Sequence, residues 1–411
     1  MTVLVTCGHT RAGLAAVRAL GRAHIAVAVG APMRPALALW SRYATATLLL
    51  PDAEQEARRF AATVADEVSG RGAVCAVACT DGALWALSRW REGLPQSAQA
   101  ALPPHEAVVF SLDRQALHDR AHSLGLPCLP TARVTRPDDV EPVLLRLQQS
   151  MALSRDARFT ALVRPLVPWV EREDGTRRVA SAIPVESIGA LRRLLYERED
   201  LAHGCLIEPR PAGTYLGYGA VVDDGRVVAE IFQERLRERG DLSGVSTLAR
   251  SIAVDDDVRR VGRSLLEGLS FRGPALVELF RGADDVVRLV NLIPRLWGSV
   301  GLSIQAGVNV PLLMLRQARG EKLHGGVVAA PGQVWRWVVG DLEVLAQRAG
   351  RLVSRVEGRG VIRGRAEGLK ELLDVRDLLR ARPDVLDVDD PLPAALELSQ
   401  RVEEARAAAR Y

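Results

Sequence analysis

The first hundred residues switch repeatedly between two hydrophobic periods, and no other feature constrains the fold as much. "TVLVTC" has the pattern of a strand, "GHTRAG" of a turn, and "LAAVRALGRA" of an amphipathic helix. "HIAVAVG" and "AVCAVACT" are further strand-like runs. Strands separated by helices of about ten residues pair in parallel, because the chain crosses over before each new strand; the expectation is a doubly wound parallel sheet. Such sheets receive ligands at the first strand-to-helix loop. Here that loop is Gly8-His9-Thr10-Arg11-Ala12-Gly13, which is neither G-x-G-x-x-G nor G-x-x-x-x-G-K-[ST]. His9 and Thr10 suit either a ligand carboxylate at the helix N-terminus or a tight capped turn, and both remain open.

Composition narrows the class. The apolar and charged fractions, 48% and 25%, are those of an ordinary globular chain, and 411 residues suggest two to three domains. No apolar run is long enough for a membrane span. "VLVTC" is too short for a signal-peptide core, so the expected location is cytoplasmic. Cys7, Cys75, Cys79, Cys128 and Cys205 are few, odd in number and set in apolar surroundings, as expected of reduced, buried thiols. The net charge of +4 comes from scattered arginines with no basic block interleaved with aromatics, so neither nucleic acid nor membrane is an expected partner. Lys322 and Lys370 are the only lysines. Any phosphate grip in this chain is therefore built from arginine.

Beyond "ALPPHE" (101–106), a linker signal, the pattern becomes α+β. Asp113 and Arg114 open a helix that Gly125 stops. "FTALVRPLVPW" and "GCLIEPRPAG" are strands, and "YGAVVDDGRVVAEIFQERLRE" is a hairpin with an Asp-Gly turn. A second hairpin, "VELFRGADDVVRLVNLI", carries Glu278 and Asn291. After residue 325 come amphipathic helical patterns, "QVWRWVVGDLEVLAQRAGRLV", "GLKELLDVRDLLRAR" and "DPLPAALELSQRVEEARAAAR".

The order of short motifs from residue 113 onward resembles the ATP-grasp superfamily, in its carboxylate–amine ligase-like branch. The motifs are Asp113-Arg114, Gly125-Leu126-Pro127, Arg164-Pro165, Ile207-Glu208-Pro209, Arg235-Leu236-Arg237-Glu238, Ser243-Gly244, Val277-Glu278-Leu279 and Asn291-Leu292-Ile293-Pro294-Arg295. The N-terminal part, including "CTDGALWALSR", is similar to the domain that precedes ATP-grasp in that branch. The resemblance covers essentially the whole chain. It implies an α/β parallel-sheet domain over 1–105, an α+β ATP-grasp domain over 106–325 in two lobes (106–200 and 201–325), and a small helical extension over 326–411. The exposed helices after residue 330 offer a surface for a homodimer.

The resemblance also implies roles. The cofactors would be ATP and Mg²⁺. Arg114 and Arg164 would grip phosphates at positions that are lysine in the family; guanidinium keeps the charge and adds paired donors. Ile207 and Glu208 would line the adenine pocket, and Ser243-Gly244 would close over the phosphates. Arg235 and Arg237 would face the cleft, and Arg295 would stabilise the transferring group. The family's metal pattern is Glu, Glu, Asn; here it reads Glu278, Asn291, Ile293. If the turn centres on Asp284-Asp285, Glu278 and Asn291 stand opposite each other with Cβ atoms about 5 Å apart. That leaves Glu278 and Asn291 as ligands for a single Mg²⁺ completed by water and phosphate. The implied activity joins a small-molecule carboxylate to an amine through an acyl phosphate, releasing ADP and phosphate. The alternative is a nucleotide-binding pseudo-enzyme with little turnover. A dinucleotide-dependent oxidoreductase lacks a glycine fingerprint here.

Overall fold

The computed structural model describes residues 1–150, 160–165, 169–171, 177–179, 182–198, 201, 204–239, 244–357 and 380–408. Thr2–Val5 (β1), Ala26–Ala31 (β2), Ala44–Leu49 (β3) and Ala73–Val77 (β4) form an all-parallel sheet in the order β3-β2-β1-β4. β1, β2 and β4 are short apolar runs buried on both faces, as parallel strands between crossover helices tend to be, whereas the edge strand β3 exposes Thr45, Thr47 and Leu49. The helix Arg11–Arg22 starts directly off β1. Thr10 is its N-cap, with Oγ1 accepting from Gly13 N at 2.9 Å. A Cβ at Gly13 would lie 2.3 Å from the Cys7 carbonyl, so only glycine permits the helix to begin this close to the strand.

An antiparallel sheet, a separate two-stranded ribbon and a large, mainly antiparallel sheet follow. Ala132–Val134 (β5), Ala161–Pro165 (β6), Trp169–Glu171 (β7), Arg177–Val179 (β8), Ile183–Val185 (β9) and Cys205–Pro209 (β10) belong to the smaller lobe. Its sheet runs β5-β10-β6-β9, with β7 and β8 paired separately. Val134, Val163, Val185, Leu191 and Ile207 fill its core.

The larger sheet has eight strands: Thr214–Asp223 (β11), Arg226–Glu238 (β12), Ser246–Ser251 (β13), Gly273–Arg281 (β14), Val287–Ile293 (β15), Val327–Val328 (β16), Val334–Arg336 (β17) and Arg382–Pro383 (β18). The order is β15-β14-β11-β12-β13-β17-β18, with β16 beside β12. One face (Tyr218, Ala220, Phe232, Val277, Leu279) packs on Val258, Val261 and Leu265 of the helix Asp256–Gly268. The other (Val221, Ile231, Ala249, Leu276) joins the core of the N-terminal sheet. Both faces of the middle of the sheet are thus buried, and charged side chains collect towards the β11 end that carries Tyr215.

The C-terminal residues are stitched into this body by strands as well as helices. Buried Arg18 donates to Asp390 Oδ2 (2.9 Å) and to the carbonyls of Asp384, Val385 and Asp390. Arg11 pairs with Asp384 at 3.2 Å and lies 4.0 Å above the Trp337 ring. The expected helix in "GLKELLDVRDLLRAR" falls almost wholly within 358–379, outside the described residues. No described helix is long and apolar enough to cross a membrane.

Candidate active site

Glu208 sits on β10, and the period-2 alternation of the strand decides what it can touch. Cys205 and Ile207 point into the small-lobe core, leaving Leu206 and Glu208 on the opposite face. Ile207 is fully buried and its side chain is a core residue, which leaves only its backbone to line an adenine pocket. Leu206 pairs with Arg164 across the sheet, which makes Arg164 a diagonal neighbour of Glu208. Arg164 Nε donates to Glu208 Oε2 at 2.8 Å. Arg114 Nη1 lies 2.9 Å from Glu208 Oε1.

Arg114 is the first residue of the helix Arg114–Ser123, capped by Asp113. A cation there opposes the helix dipole; Glu208 supplies the compensating charge. The same Nη1 reaches the Val290 carbonyl at 3.4 Å, next to Asn291 on β15. Arg114 therefore spans the two lobes. Burial depresses its pKa, with Glu208 and Glu278 acting in the opposite sense and Arg164 and Arg210 adding to the depression. Burial also favours the neutral form of Glu208, but Arg114 and Arg164 outweigh it and hold the carboxyl below its usual range.

The second carboxylate, Glu278, stands on β14 opposite Asn291 on β15 and opposite Gly217 on β11. On that face Arg235 reaches across β11 from β12. Residue 217 has no side chain to block it, and a Cβ there would lie 2.8 Å from Gln233 Cγ. Arg235 Nη2 donates to Glu278 Oε1, Nε to Ser246 Oγ (3.0 Å) and Nη1 to Glu238 Oε2 (3.2 Å). Asn291 Nδ2 donates to Glu278 Oε2 at 2.9 Å. Arg210 pairs with both oxygens of Glu238 and stacks on Tyr215 at 4.3 Å. Burial of Glu278 favours its neutral form, yet Arg235, the Asn291 N–H and Arg114 prevail and lower its pKa.

These two carboxylate clusters share Arg114, and together they place Arg114, Arg164, Arg210 and Arg235 around Glu208, Glu238 and Glu278. Gly244 adjoins them: a Cβ there would lie 3.7 Å from Arg235 Nη1, and its φ of +76° favours glycine. Ser243 lies outside the described residues. Arg210, Tyr215 and Glu238 were not singled out from the sequence as site residues. The available signal was spacing, since Arg210 follows Glu208 by two and Glu238 follows Arg235 by three.

Three expectations change. Arg237 does not join Arg235. A bulge between them shifts the register against β13, and Arg237 Nη1 is locked 2.7 Å from both oxygens of buried Asp341. Arg295 pairs with Asp81 at 2.6 Å rather than with the Glu278 group. It lines a cavity of about 450 Å³ with His9, Thr10, Cys79, Trp337 and Glu397, above the ends of the parallel strands.

The metal assignment fails on donor chemistry. Both Glu278 oxygens already accept hydrogen bonds, one from Arg235 and one from the Asn291 amide, and Ile293 offers no ligand atom. No group of three His, Cys, Asp or Glu side chains placed to hold a metal ion exists among the described residues. A cation on Glu278 would also sit beside the Arg235 guanidinium. Like unit charges at 4 Å repel by about 4 kcal/mol at an effective dielectric of about 20, and Mg²⁺ carries two. Glu278 and Asn291 do not fit a resident Mg²⁺.

No family model matches the sequence. A stretch of 221 residues is 31% identical to 1-deoxy-D-xylulose-5-phosphate synthase of Streptomyces griseus subsp. griseus, covering 46% of this chain and 34% of that protein. The chain thus spans about a third of the length of this curated relative. Solved structures align far more completely. The L-amino acid ligase from Bacillus licheniformis superposes with a TM-score of 0.57 at 13% identity, over 77% of this chain and 73% of that one. N5-carboxyaminoimidazole synthetase from Staphylococcus aureus complexed with ADP gives 0.58 at 12%, over 81% and 80%. The biotin carboxylase domain of 2-oxoglutarate carboxylase from Hydrogenobacter thermophilus, solved with MgADP, ADP and bicarbonate, gives 0.59 at 12%, over 81% and 73%. At such low identity the shared property is the fold alone: this chain's parallel N-terminal sheet, small antiparallel lobe and large, mainly antiparallel sheet make up an ATP-grasp fold.

Proposed function

We propose that the chain is an ATP-dependent carboxylate–amine ligase. The observation that carries this reading is the arginine cluster between the lobes, with Arg114 bridging Glu208 and the β15 backbone. A triphosphate entering the cleft meets guanidinium groups arranged for paired donation to phosphate oxygens. Phosphoryl transfer depends chiefly on such positioning and charge neutralisation. The substrate carboxylate attacks the γ-phosphorus, and the bond to the β-phosphate oxygen breaks, giving ADP and an acyl phosphate. An amine then attacks the acyl carbon, forming an amide and releasing phosphate and a proton. Arg114, Arg164 and Arg235 hold phosphate oxygens in this scheme. The cavity beside Arg295 falls in the usual size range for a small-molecule site, roughly 300–1,000 Å³, and receives a substrate. Similarity of fold to an L-amino acid ligase and to N5-carboxyaminoimidazole synthetase supports the class.

Two measurements on the full chain test this: calorimetric binding of ATP, and ADP release with pooled carboxylates and amines. ADP release that needs both substrates supports the ligase. The engagement of both Glu278 oxygens by Arg235 and Asn291 favours a second reading, a nucleotide binder with little turnover, and tight ATP binding without ADP release would select it. Absence of ATP binding removes both.

A further inference from the structure

The carboxylate expected to hold a metal is held instead by a guanidinium. Glu278 holds Arg235 with one oxygen and Asn291 with the other. Arg235 is fixed at all three of its nitrogens, by Ser246, Glu238 and Glu278. A group tethered at that many points has little rotamer freedom left to lose when a ligand arrives. The Tyr215 ring lies 5.7 Å from its guanidinium carbon, and the absence of a side chain at Gly217 makes room for Gln233 beside it.

We propose that Arg235, positioned by Glu278, Glu238 and Asn291, takes the place of a protein-held divalent ion, so that the chain binds the nucleoside triphosphate as a metal-free polyanion. This rests on the nucleotide-binding reading above. Glu278 is then a positioning residue that acts through Arg235 rather than a metal ligand. Arg114 and Arg164 complete the set of cations, each anchored to Glu208. Asn291 contributes by being neutral: its amide donates to Glu278 where a second carboxylate would repel it and attract a cation.

The decisive measurement needs no variant. ATP is titrated calorimetrically into the full chain, once in excess Mg²⁺ and once in EDTA. Metal-free binding predicts dissociation constants within about threefold of each other, or tighter in EDTA, where ATP keeps its full charge. Affinity that rises tenfold or more on adding Mg²⁺ overturns the proposal while leaving nucleotide binding intact. No binding in either buffer overturns the underlying reading, and this inference with it.

Variants then assign the roles. Arg235→Gln lowers affinity about 10- to 100-fold in both buffers, the worth of one or two charge-assisted hydrogen bonds. Glu278→Gln weakens binding equally in Mg²⁺ and in EDTA if it positions Arg235; a loss confined to Mg²⁺ would show that it holds metal and sink the idea. Asn291→Glu converts the wild-type pattern into Mg²⁺-dependent binding. Thermal unfolding of each variant checks that it is folded.

Discussion

Removing the Asp341 carboxylate separates a structural role for Arg237 from a catalytic one. Asp341 is fully buried and accepts from Arg237 Nη1 (2.7 Å to each oxygen), Arg336 Nε (2.7 Å) and Thr247 Oγ1 (3.1 Å). Asp341→Ala leaves the buried guanidinium of Arg237 without a counter-charge. Breaking a buried pair in this way costs about 3–5 kcal/mol, a large share of the roughly 5–15 kcal/mol that holds a typical domain together. Arg237→Ala strands the carboxylate instead, although Arg336 still shields it, and costs about 2–4 kcal/mol. In the double variant Arg237→Met/Asp341→Leu neither buried charge remains, so its cost falls short of the two single costs combined by about 2–3 kcal/mol. Urea unfolding followed by tryptophan fluorescence reads these costs, since Trp335 and Trp337 are buried beside the pair. Nucleotide affinity, measured below the unfolding transition, changes little in either single variant. An Arg237→Ala protein with an unshifted urea midpoint and lost ADP release would refute the structural assignment.

Glu208→Gln leaves Arg114 and Arg164 without their shared carboxylate; the expected cost is about 1–3 kcal/mol, reduced by the partial exposure of both arginines, together with weaker ATP binding, both readable in a melt with and without ATP. Glu208 and Glu278 have folded pKa values below the ordinary carboxylate range of about 4.3, so the stability they lend is complete above it and is lost as pH falls through the lower folded values. Melting temperature should therefore hold from pH 7 to about 4.5 and drop below that, with a shallower drop in Glu278→Gln. Arg18→Ala removes four hydrogen bonds that join the first helix to the C-terminal segment, and leaves Asp390 buried with only Ser41 Oγ and Arg42 N as donors. Its cost is about 3–5 kcal/mol, and limited proteolysis should cut near residues 384–390 earlier than in the parent chain.

Local periodicity made the parallel sheet legible, because β1, β2 and β4 are apolar runs set between helix patterns and need no distant partner to be recognised. The second hairpin was legible too, but the pairing of Glu278 with Asn291 comes through a bulge: the ladder runs Arg281–Val287, Phe280–Arg288 and Leu279–Leu289 beside the turn, and a shift between Glu278 and Leu279 brings Glu278 across from Asn291. The direction of Arg237 was not legible. It depends on a bulge in β12, and an extra residue in a ladder follows from how β13 and the helix Val338–Glu357, which carries Asp341, dock rather than from the strand's own composition. Ile207 belongs with it, because which face of β10 is core depends on the strands that flank it.

The sequence by itself determined the charges available to the site: with Lys322 and Lys370 the only lysines, arginine had to serve wherever a cation was needed, and Glu278 is the one carboxylate among positions 278, 291 and 293 of the second hairpin. Which of those charges meet was decided by the tertiary structure. Arg235 finds Glu278, Arg114 finds both lobes, Arg237 is sealed against Asp341 and Arg295 turns to Asp81. Ion pairing over tens or hundreds of residues depends on strand register and on which faces become buried, and those are properties of packed sheets that no single segment encodes.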